Sequence, residues 1–476
     1  MTGVVRFLLD GQIQTVGDVD PTLTVLQWLR THAARTGTKE GCAEGDCGAC
    51  TVVVADLVDD RVRYRAVNAC ILFLPMLHEK ALFTVESLGG QHPMQRDMVA
   101  LHGSQCGFCT PGIVMSLYAR TLGADGAREA EVEDVLAGNL CRCTGYGPIL
   151  AAARQNPPMP VEDGALREAL LALRDDAPLA LRHEGRLWFA PKTADQLATL
   201  LLENPQARVV AGATDVGLWV TKQQRVLETI IAVGDIADLA IIEETPDGVT
   251  LGASVTYNAA YAALARLHPD IGELVRRIGA TQVRNSGTIG GNIANGSPIG
   301  DMPPALIALG GRLTLRRGDV RREVALEDYF LDYGRQDRQL GEFVERVFVP
   351  RPHANDRVRI VKLSKRFDSD ISAVCAGIAL RIEDGVITRA RLAFGGMAAT
   401  PKRASQAEAA LTGAPWSQAT LEAAAHALSQ DFKPLTDVRG SSDYRLVSAA
   451  NLLRRLWIEE ATVLDIGPIA VGGVDA

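Results

Sequence analysis

The 476-residue sequence has no excess of positive charge: 49 lysines and arginines face 57 aspartates and glutamates, a net −8. That balance excludes the basic footprint of a nucleic-acid-binding domain. No stretch approaches the roughly eighteen consecutive apolar residues of a membrane-spanning helix. Met1 to Asp10 carries neither a basic n-region nor a small-residue cleavage pattern, which makes the cytoplasm the expected location. No internal repeat is evident, and beyond Cys143 cysteine is absent except at Cys375. What remains is an ordinary globular composition, 47% apolar and 22% charged. A chain of this length holds several domains of about 100–200 residues each.

Eight of the nine cysteines fall before residue 144, too clustered for a disulfide framework, which a reducing compartment disfavours in any case. They form two quartets. The first, Cys42-x4-Cys47-x2-Cys50 with Cys70 further on, has the spacing of a plant-type [2Fe–2S] site. Three thiolates from one loop must converge on a compact core, and Gly41, Gly45 and Gly48 are expected to supply the dihedrals this demands. Structural zinc is the alternative, but such sites usually present Cys-x2-Cys knuckles in both halves. The second quartet pairs Cys106-Gly-Phe-Cys109 with Cys141-Arg-Cys143. By itself it fits a cluster, zinc or a redox dithiol, although no βαβ pattern surrounds it as a thioredoxin motif requires. Thr110-Pro111 reads as a helix cap and first turn, whose positive end favours thiolates whatever the metal.

The opening reads as a β-grasp-like sheet with strands at Val4–Leu9, Thr15–Val19, Thr51–Val54 and Arg61–Val67 and a helix at Leu23–Ala33. Helices follow from Thr110, with Ile113, Val114 and Leu117 on the apolar stripe, and over Glu129–Leu136. Pro157, Pro158 and Pro160 mark an extended spacer over Gln155–Gly164. The remainder is α+β: strands at Arg208–Val210 and Ile230–Val233, a helix at Asp195–Leu202, then strands at Val358–Leu363, Ala373–Ile382 and Val386–Phe394 before helices near Lys402–Leu411 and Leu446–Ala461.

Two glycine-rich segments, Arg208–Gly217 and Arg284–Asn295, have the small residues and free amides that cradle a phosphate, or they are ordinary turns. Neither is the G-x-G-x-x-G fingerprint of a Rossmann fold. Of the remaining candidates, His102 reads as a surface or partly buried histidine and Cys375 as a small buried hydrophobe. Glu129, Glu131, Glu133 and Asp134 read as a solvated helix face. Lys365 and Arg366 are either an anion-attracting pair or surface charges.

Three segments, Gly41–Thr51, Gln105–Gly112 and Gly138–Tyr146, resemble the xanthine dehydrogenase and aldehyde oxidase family of molybdenum hydroxylases, and the likeness continues along the whole chain as the iron–sulfur and flavin portion that bacteria carry on a separate small subunit. The resemblance implies an α+β multidomain chain. Its parts are a β-grasp [2Fe–2S] ferredoxin-like domain (1–83), a helical-bundle [2Fe–2S] domain (84–155), a linker (156–177), an α+β FAD-binding domain (178–352) and a C-terminal α+β domain (353–466). It implies that both quartets hold [2Fe–2S] clusters, Cys42/Cys47/Cys50/Cys70 nearer the flavin and Cys106/Cys109/Cys141/Cys143 nearer molybdenum, with Gln105 in reach of the pterin. FAD would then lie along Val209, Val210, Ala211, Gly212, Ala213, Thr214, Asp215 and Val216, with Thr288, Gly291 and Asn292 bonding it, Asp301 at the adenosine end and Val344 packed on the flavin. Asp370 and Ile371 would stand where the nicotinamide of NAD enters. Ile278 and Ala373 depart from residues found in some relatives, an aromatic and a lysine. The flavin part and its C-terminal domain occupy the chain from Pro178 onward, so molybdopterin and the purine chemistry are expected on a large partner subunit, in an α2β2 heterotetramer with NAD as acceptor. Alternatives are the same relay serving an aldehyde or other heterocycle hydroxylase with oxygen or a quinone, and a zinc-stabilised scaffold.

Overall fold

The computed structural model describes residues 3–124 and 131–461. Glu129, in the expected charge run and helix, and the last residues of the expected C-terminal domain, 462–466, lie outside them.

The first unit is a five-stranded sheet in the order Gln12–Val16, Val5–Leu9, Ala81–Phe83, Thr51–Val58, Arg61–Asn68. Its two central strands are parallel, and the helix Val25–Thr31 buries Val25, Leu26, Trp28 and Leu29 against them in a β-grasp arrangement. Thr24 and Gln27 form a reciprocal capping box that fixes where this helix starts. The second strand was expected at Thr15–Val19 and instead runs from Gln12. Asp10 and Gly11 both adopt positive φ (53° and 74°), making a two-residue hairpin that sets Leu9 opposite Gln12. The strand Arg61–Asn68 alternates as its sequence suggests. Tyr64 and Ala66 are buried, and Arg63 and Arg65 both reach the buried Asp56, at 2.6 and 2.7 Å.

Four helices, Pro93–Ala100, Thr110–Thr121, Val132–Leu136 and Gly147–Gln155, form the second unit, with Ile113, Val114 and Leu117 inside. Cys109, not Thr110, is the cap of the second helix. Pro111 fills its first turn, so Thr110 is already helical and its hydroxyl donates to Ser104. The stretch after Gln155 is only partly an extended spacer. Gly164–Leu173 is a helix whose Leu170 and Leu173 pack with Val53, Ala55 and Tyr64 of the first sheet. Its Leu/Ala periodicity was masked by the prolines before it.

The third unit holds a four-stranded sheet (Leu179–His183, Arg186–Ala190, Thr229–Ala232, Arg208–Val210) and a five-stranded antiparallel sheet (Ile242–Thr245, Gly248–Gly252, Phe343–Pro350, Arg312–Arg317, Val320–Ala325). The helices Tyr257–Leu267, Pro269–Arg276 and Met302–Leu309 share one apolar core with the larger sheet. The second glycine-rich segment is not an open loop. From Ile289 to Asn295 it is a short helix, capped by the Thr288 hydroxyl accepting from Gly291 N at 3.0 Å.

In the fourth unit, strands Asp356–Leu363, Val374–Glu383, Val386–Gly395 and Lys402–Arg403 make an antiparallel sheet that packs against helices Ser405–Leu411, Gln418–Asp431 and Ser442–Ala461. The helix expected from Lys402 starts at Ser405, because Lys402 and Arg403 pair with Phe394 and Ala393 as an edge strand. No helix among the described residues is long and apolar enough to cross a membrane.

Candidate cofactor sites

The first cysteine loop turns on positive φ at Ala43, Gly45 and Gly48 (54°, 79° and 69°). Gly41 does not share that conformation. It is needed for space, since a Cβ there would stand 2.8 Å from Cys47 Sγ. Asn68 ties the loop to the sheet by donating to Gly45 O at 2.6 Å. Cys50 and Cys70 are buried, while Cys42 and Cys47 are half-buried. The sulfurs touch in a definite pattern, Cys42 with Cys47 and Cys70, and Cys70 with Cys50. Hydrogen bonds from Cys47 and Cys70 hold the Cys42 thiol far below its ordinary value, and the same contacts together with burial push Cys47 and Cys70 up.

The second quartet sorts more cleanly into two pairs. Cys106 bonds to Cys143 and Cys109 to Cys141, each pair taking one thiol from each hook. Burial, then the Cys141 contact, pushes Cys109 up to about 12. Tyr146, at φ 68°, holds the second hook. Its hydroxyl accepts from Cys141 N at 2.9 Å and donates to Asn139 O at 3.0 Å. Four thiols gathered from two hooks make a set that a [2Fe–2S] cluster can take, two thiolates to each iron. Among the described residues no group of three or more His, Cys, Asp or Glu is arranged around one metal ion. Cys106, Cys143 and Gln105 are exposed beside Phe108 and Leu140, whereas every thiol of the first quartet is buried or half-buried. His102 is exposed, as expected of a surface histidine, and sits in a turn at positive φ.

The two cysteine loops meet. Leu140 N donates to Cys47 O at 3.0 Å, joining the residue before one ligand candidate to the backbone of another. A Cβ on Gly48 would stand 2.1 Å from Gly138 O, and one on Gly112 would stand 2.1 Å from Gly48 O, so glycine permits the approach.

The structure also brings together the two glycine-rich segments. A Cβ on Gly212 would be 1.7 Å from Ser286 O, and Gly287 lies against Tyr257 and Thr214. Ala213 takes the left-handed conformation (φ 58°) between them. Asn292 Oδ1 is buried without a hydrogen-bond partner among the described residues, an acceptor held ready for a ligand donor. Asp215 takes hydrogen bonds from Trp219 and Asn295, while burial raises its carboxyl above the usual range. These features fit a bound dinucleotide such as FAD. The segment continues into the helix Val216–Thr221, which lies on the first cysteine loop. A Cβ on Gly217 would be 2.8 Å from Ile71, next to Cys70, and Thr221 Oγ1 donates to Ala43 O at 2.7 Å.

Of the other expected flavin residues, Val209 and Val210 lie in the strand leading to Gly212. Asp301 is buried, with Lys362 Nζ and Ser372 Oγ each 2.5 Å from its carboxylate and Cys375 Sγ donating to its carbonyl at 3.4 Å. Cys375 is fully buried, as expected. Ile278 is half-buried, its carbonyl accepting from Arg284 at 3.3 Å. Val344 lies in the core with Leu313 and Leu315. Asp370 folds back on its own loop, accepting from Arg366 N at 2.8 Å, and Ile371 is exposed. Lys365 donates to Val438 O at 2.6 Å, and Arg366 stands 4.0 Å from Asp46 and 3.9 Å from Asp370. Sequence reasoning missed Lys362. The signal was there: in the alternating strand Asp356–Leu363 it shares the inward phase with Val358 and Ile360.

Two thiol quartets, and two glycine-rich segments pressed together against the loop of one of them, fit an iron–sulfur flavoprotein. Models of known families match along the chain: a 2Fe-2S iron-sulfur cluster binding domain at 7–74, a [2Fe-2S] binding domain at 84–154, the FAD binding domain in molybdopterin dehydrogenase at 181–352, and the CO dehydrogenase flavoprotein C-terminal domain at 359–460. The chain is 30% identical to xanthine dehydrogenase/oxidase of Rattus norvegicus over 91% of its own length and 37% of the rat protein's. It is 29% identical to aldehyde oxidase 2 of Cavia porcellus, over 96% and 40% respectively. The chain thus spans well under half the length of these relatives. Among solved structures, a chain of carbon monoxide dehydrogenase from Hydrogenophaga pseudoflava superposes with a TM-score of 0.54 at 28% identity, covering 56% of this chain and 94% of that one. The chain belongs to the molybdenum hydroxylase family, of which it is an iron–sulfur/FAD electron-transfer module.

Proposed function

We propose that this chain collects electrons from a molybdenum site on a partner subunit oxidising hypoxanthine or xanthine and delivers them to NAD, acting as the iron–sulfur/FAD subunit of a xanthine dehydrogenase. When bound, the two clusters carry electrons singly and the flavin accepts them one at a time and donates a pair. The chain's own residues supply position and field. Cys106, Cys109, Cys141 and Cys143 would hold the outer cluster where a partner can reach it, with Gln105 facing the pterin. Cys42, Cys47, Cys50 and Cys70 would hold the inner one, and Val209–Val216 with Thr288, Gly291 and Asn292 the flavin. Asp370 and Ile371 would border the nicotinamide entry. The domain boundaries 1–83, 84–155, 178–352 and 353–466 follow this division, with Gly164–Leu173 assigned to the first unit it packs on.

The observation that carries the relay is the run of direct contacts from Cys141 through Leu140 N and Cys47 O, then from Ile71 to Gly217 beside the flavin segment. Exposed Cys106, Cys143, Phe108 and Leu140 offer the face a molybdenum subunit would cover, in an α2β2 assembly. The purified chain is expected to carry about four irons, matching acid-labile sulfide and one flavin. Colourless protein with zinc in the quartets overturns the reading. Assay of the native complex with xanthine and NAD tests the substrate and acceptor. The likeness to aldehyde oxidase keeps a second reading, the same relay for an aldehyde or other heterocycle with oxygen or a quinone as acceptor; it gains if xanthine is not turned over.

A further inference from the structure

Gln282 sits in the short helix Thr281–Arg284 of the flavin unit and is 1% exposed. Its side chain leaves that unit altogether. Nε2 lies 3.1 Å from Thr51 Oγ1, 3.0 Å from Ser116 Oγ and 3.0 Å from Asn139 Oδ1. Thr51 follows Cys50, Ser116 belongs to the helix that Cys109 caps, and Asn139 lies two residues before Cys141. One amide therefore binds the other two units at the point where their cysteine loops meet. The direction of its bonds is fixed by its partners. Thr51 Oγ1 donates to Gly48 O at 2.6 Å and Ser116 Oγ to Asn139 Oδ1 at 2.7 Å, so both hydroxyls can only accept from Gln282. Asn139 Nδ2 completes the set by donating to Gly48 O at 3.2 Å, between Cys47 and Cys50.

The same amide is poorly served on its other side. Gln282 Oε1 is buried without a partner among the described residues, close enough to Gly138 that a Cβ there would stand 2.5 Å from it. An unpaired buried acceptor costs stability, and an apolar residue of similar shape would avoid that cost. Packing alone does not explain a glutamine here. A fixed geometry between two cysteine loops does, because a satisfied donor network sets orientation where apolar contact leaves sliding freedom.

We propose that Gln282 is a positioning residue of the electron relay. Through Thr51, Ser116 and Asn139 it locks the two cysteine loops at one mutual separation and orientation, and it ties that geometry to the flavin segment that begins two residues further on. This inference rests on the relay reading above.

The test uses the full chain with Gln282→Met, which keeps length and shape and removes the donors, and Ser116→Ala, which removes one acceptor. Both are compared with the parent for iron and flavin content, thermal midpoint, paramagnetic resonance after dithionite reduction, and the rate at which bound flavin is reduced by the clusters. Gln282→Met is expected to retain iron and flavin. It is expected to alter the magnetic interaction between the two reduced clusters and to slow flavin reduction several-fold, because electron transfer weakens as the clusters separate. Ser116→Ala should show the same changes in smaller degree. Unchanged cluster–cluster interaction and rate in a fully loaded Gln282→Met protein overturn the proposal, as does loss of iron from Gln282→Met with parent-like behaviour of Ser116→Ala. A parent chain that holds no iron defeats the relay reading itself, so the two failures are told apart.

Discussion

Three residues carry separable tests. Gly212 faces Ser286 so closely that Gly212→Ala must push the two flavin segments apart. The purified variant is expected to hold its iron and lose most of its flavin, read from the visible spectrum. The thiol pairs predict a selective loss: Cys106→Ser should remove the outer cluster, halving iron per chain and abolishing one of two paramagnetic signals, while the inner cluster, built on another loop, persists. Asp56 is buried between Arg63 and Arg65, and although burial opposes it their charges hold its carboxyl well below the usual carboxylate range. Asp56→Asn leaves two guanidiniums without their carboxylate and should cost about 3 kcal/mol at neutral pH. The sign of the pH effect follows from the lowered folded value. The stabilisation is complete above the unfolded value of about 3.9 and is lost as pH falls below it. Denaturant titrations of parent and variant should therefore begin to converge as pH drops below about 4, with most of the difference still present at about pH 3.

At the scale of elements, the helix Gly164–Leu173 is the clearest departure from expectation, and it makes a prediction of its own. Leu170 is fully buried against the first sheet, so Leu170→Ala should cost about 2–5 kcal/mol of that unit's stability. A true linker would tolerate the change, and chemical denaturation followed at the iron absorbance distinguishes the two. Elsewhere the periodic elements were legible. The alternation in Arg61–Asn68 and the apolar stripe of Thr110–Thr121 stand where their sequences put them. The failures fall where a local device overrides pattern: a two-residue turn at Asp10-Gly11, a proline in the first turn at Pro111, a threonine cap at Thr288.

Across the whole molecule, the units are joined by buried polar bonds as well as apolar contact. Arg65 donates to Asn285 O at 3.1 Å and Asn285 to Ala66 O at 2.9 Å, next to the Gln282 network. Bonds of this kind are expected to couple the unfolding of the first and third units. Loss of iron absorbance and release of flavin fluorescence should share one thermal midpoint in the parent chain. Asn285→Ala should separate the two.

The chain's cysteine spacing by itself marked two thiol quartets and gave the first the pattern of a [2Fe–2S] loop, because ligand geometry constrains short stretches of backbone directly; the second quartet took its assignment from the family resemblance. The glycine-rich segments marked where backbone comes close to something, without saying to what. Only the tertiary structure decided that those segments press on each other, that one runs onto the first cysteine loop, that Lys362 pairs with Asp301, and that Gln282 bonds to both cysteine-bearing units. Such contacts join residues far apart in sequence, and no local periodicity encodes which buried polar group will find which partner.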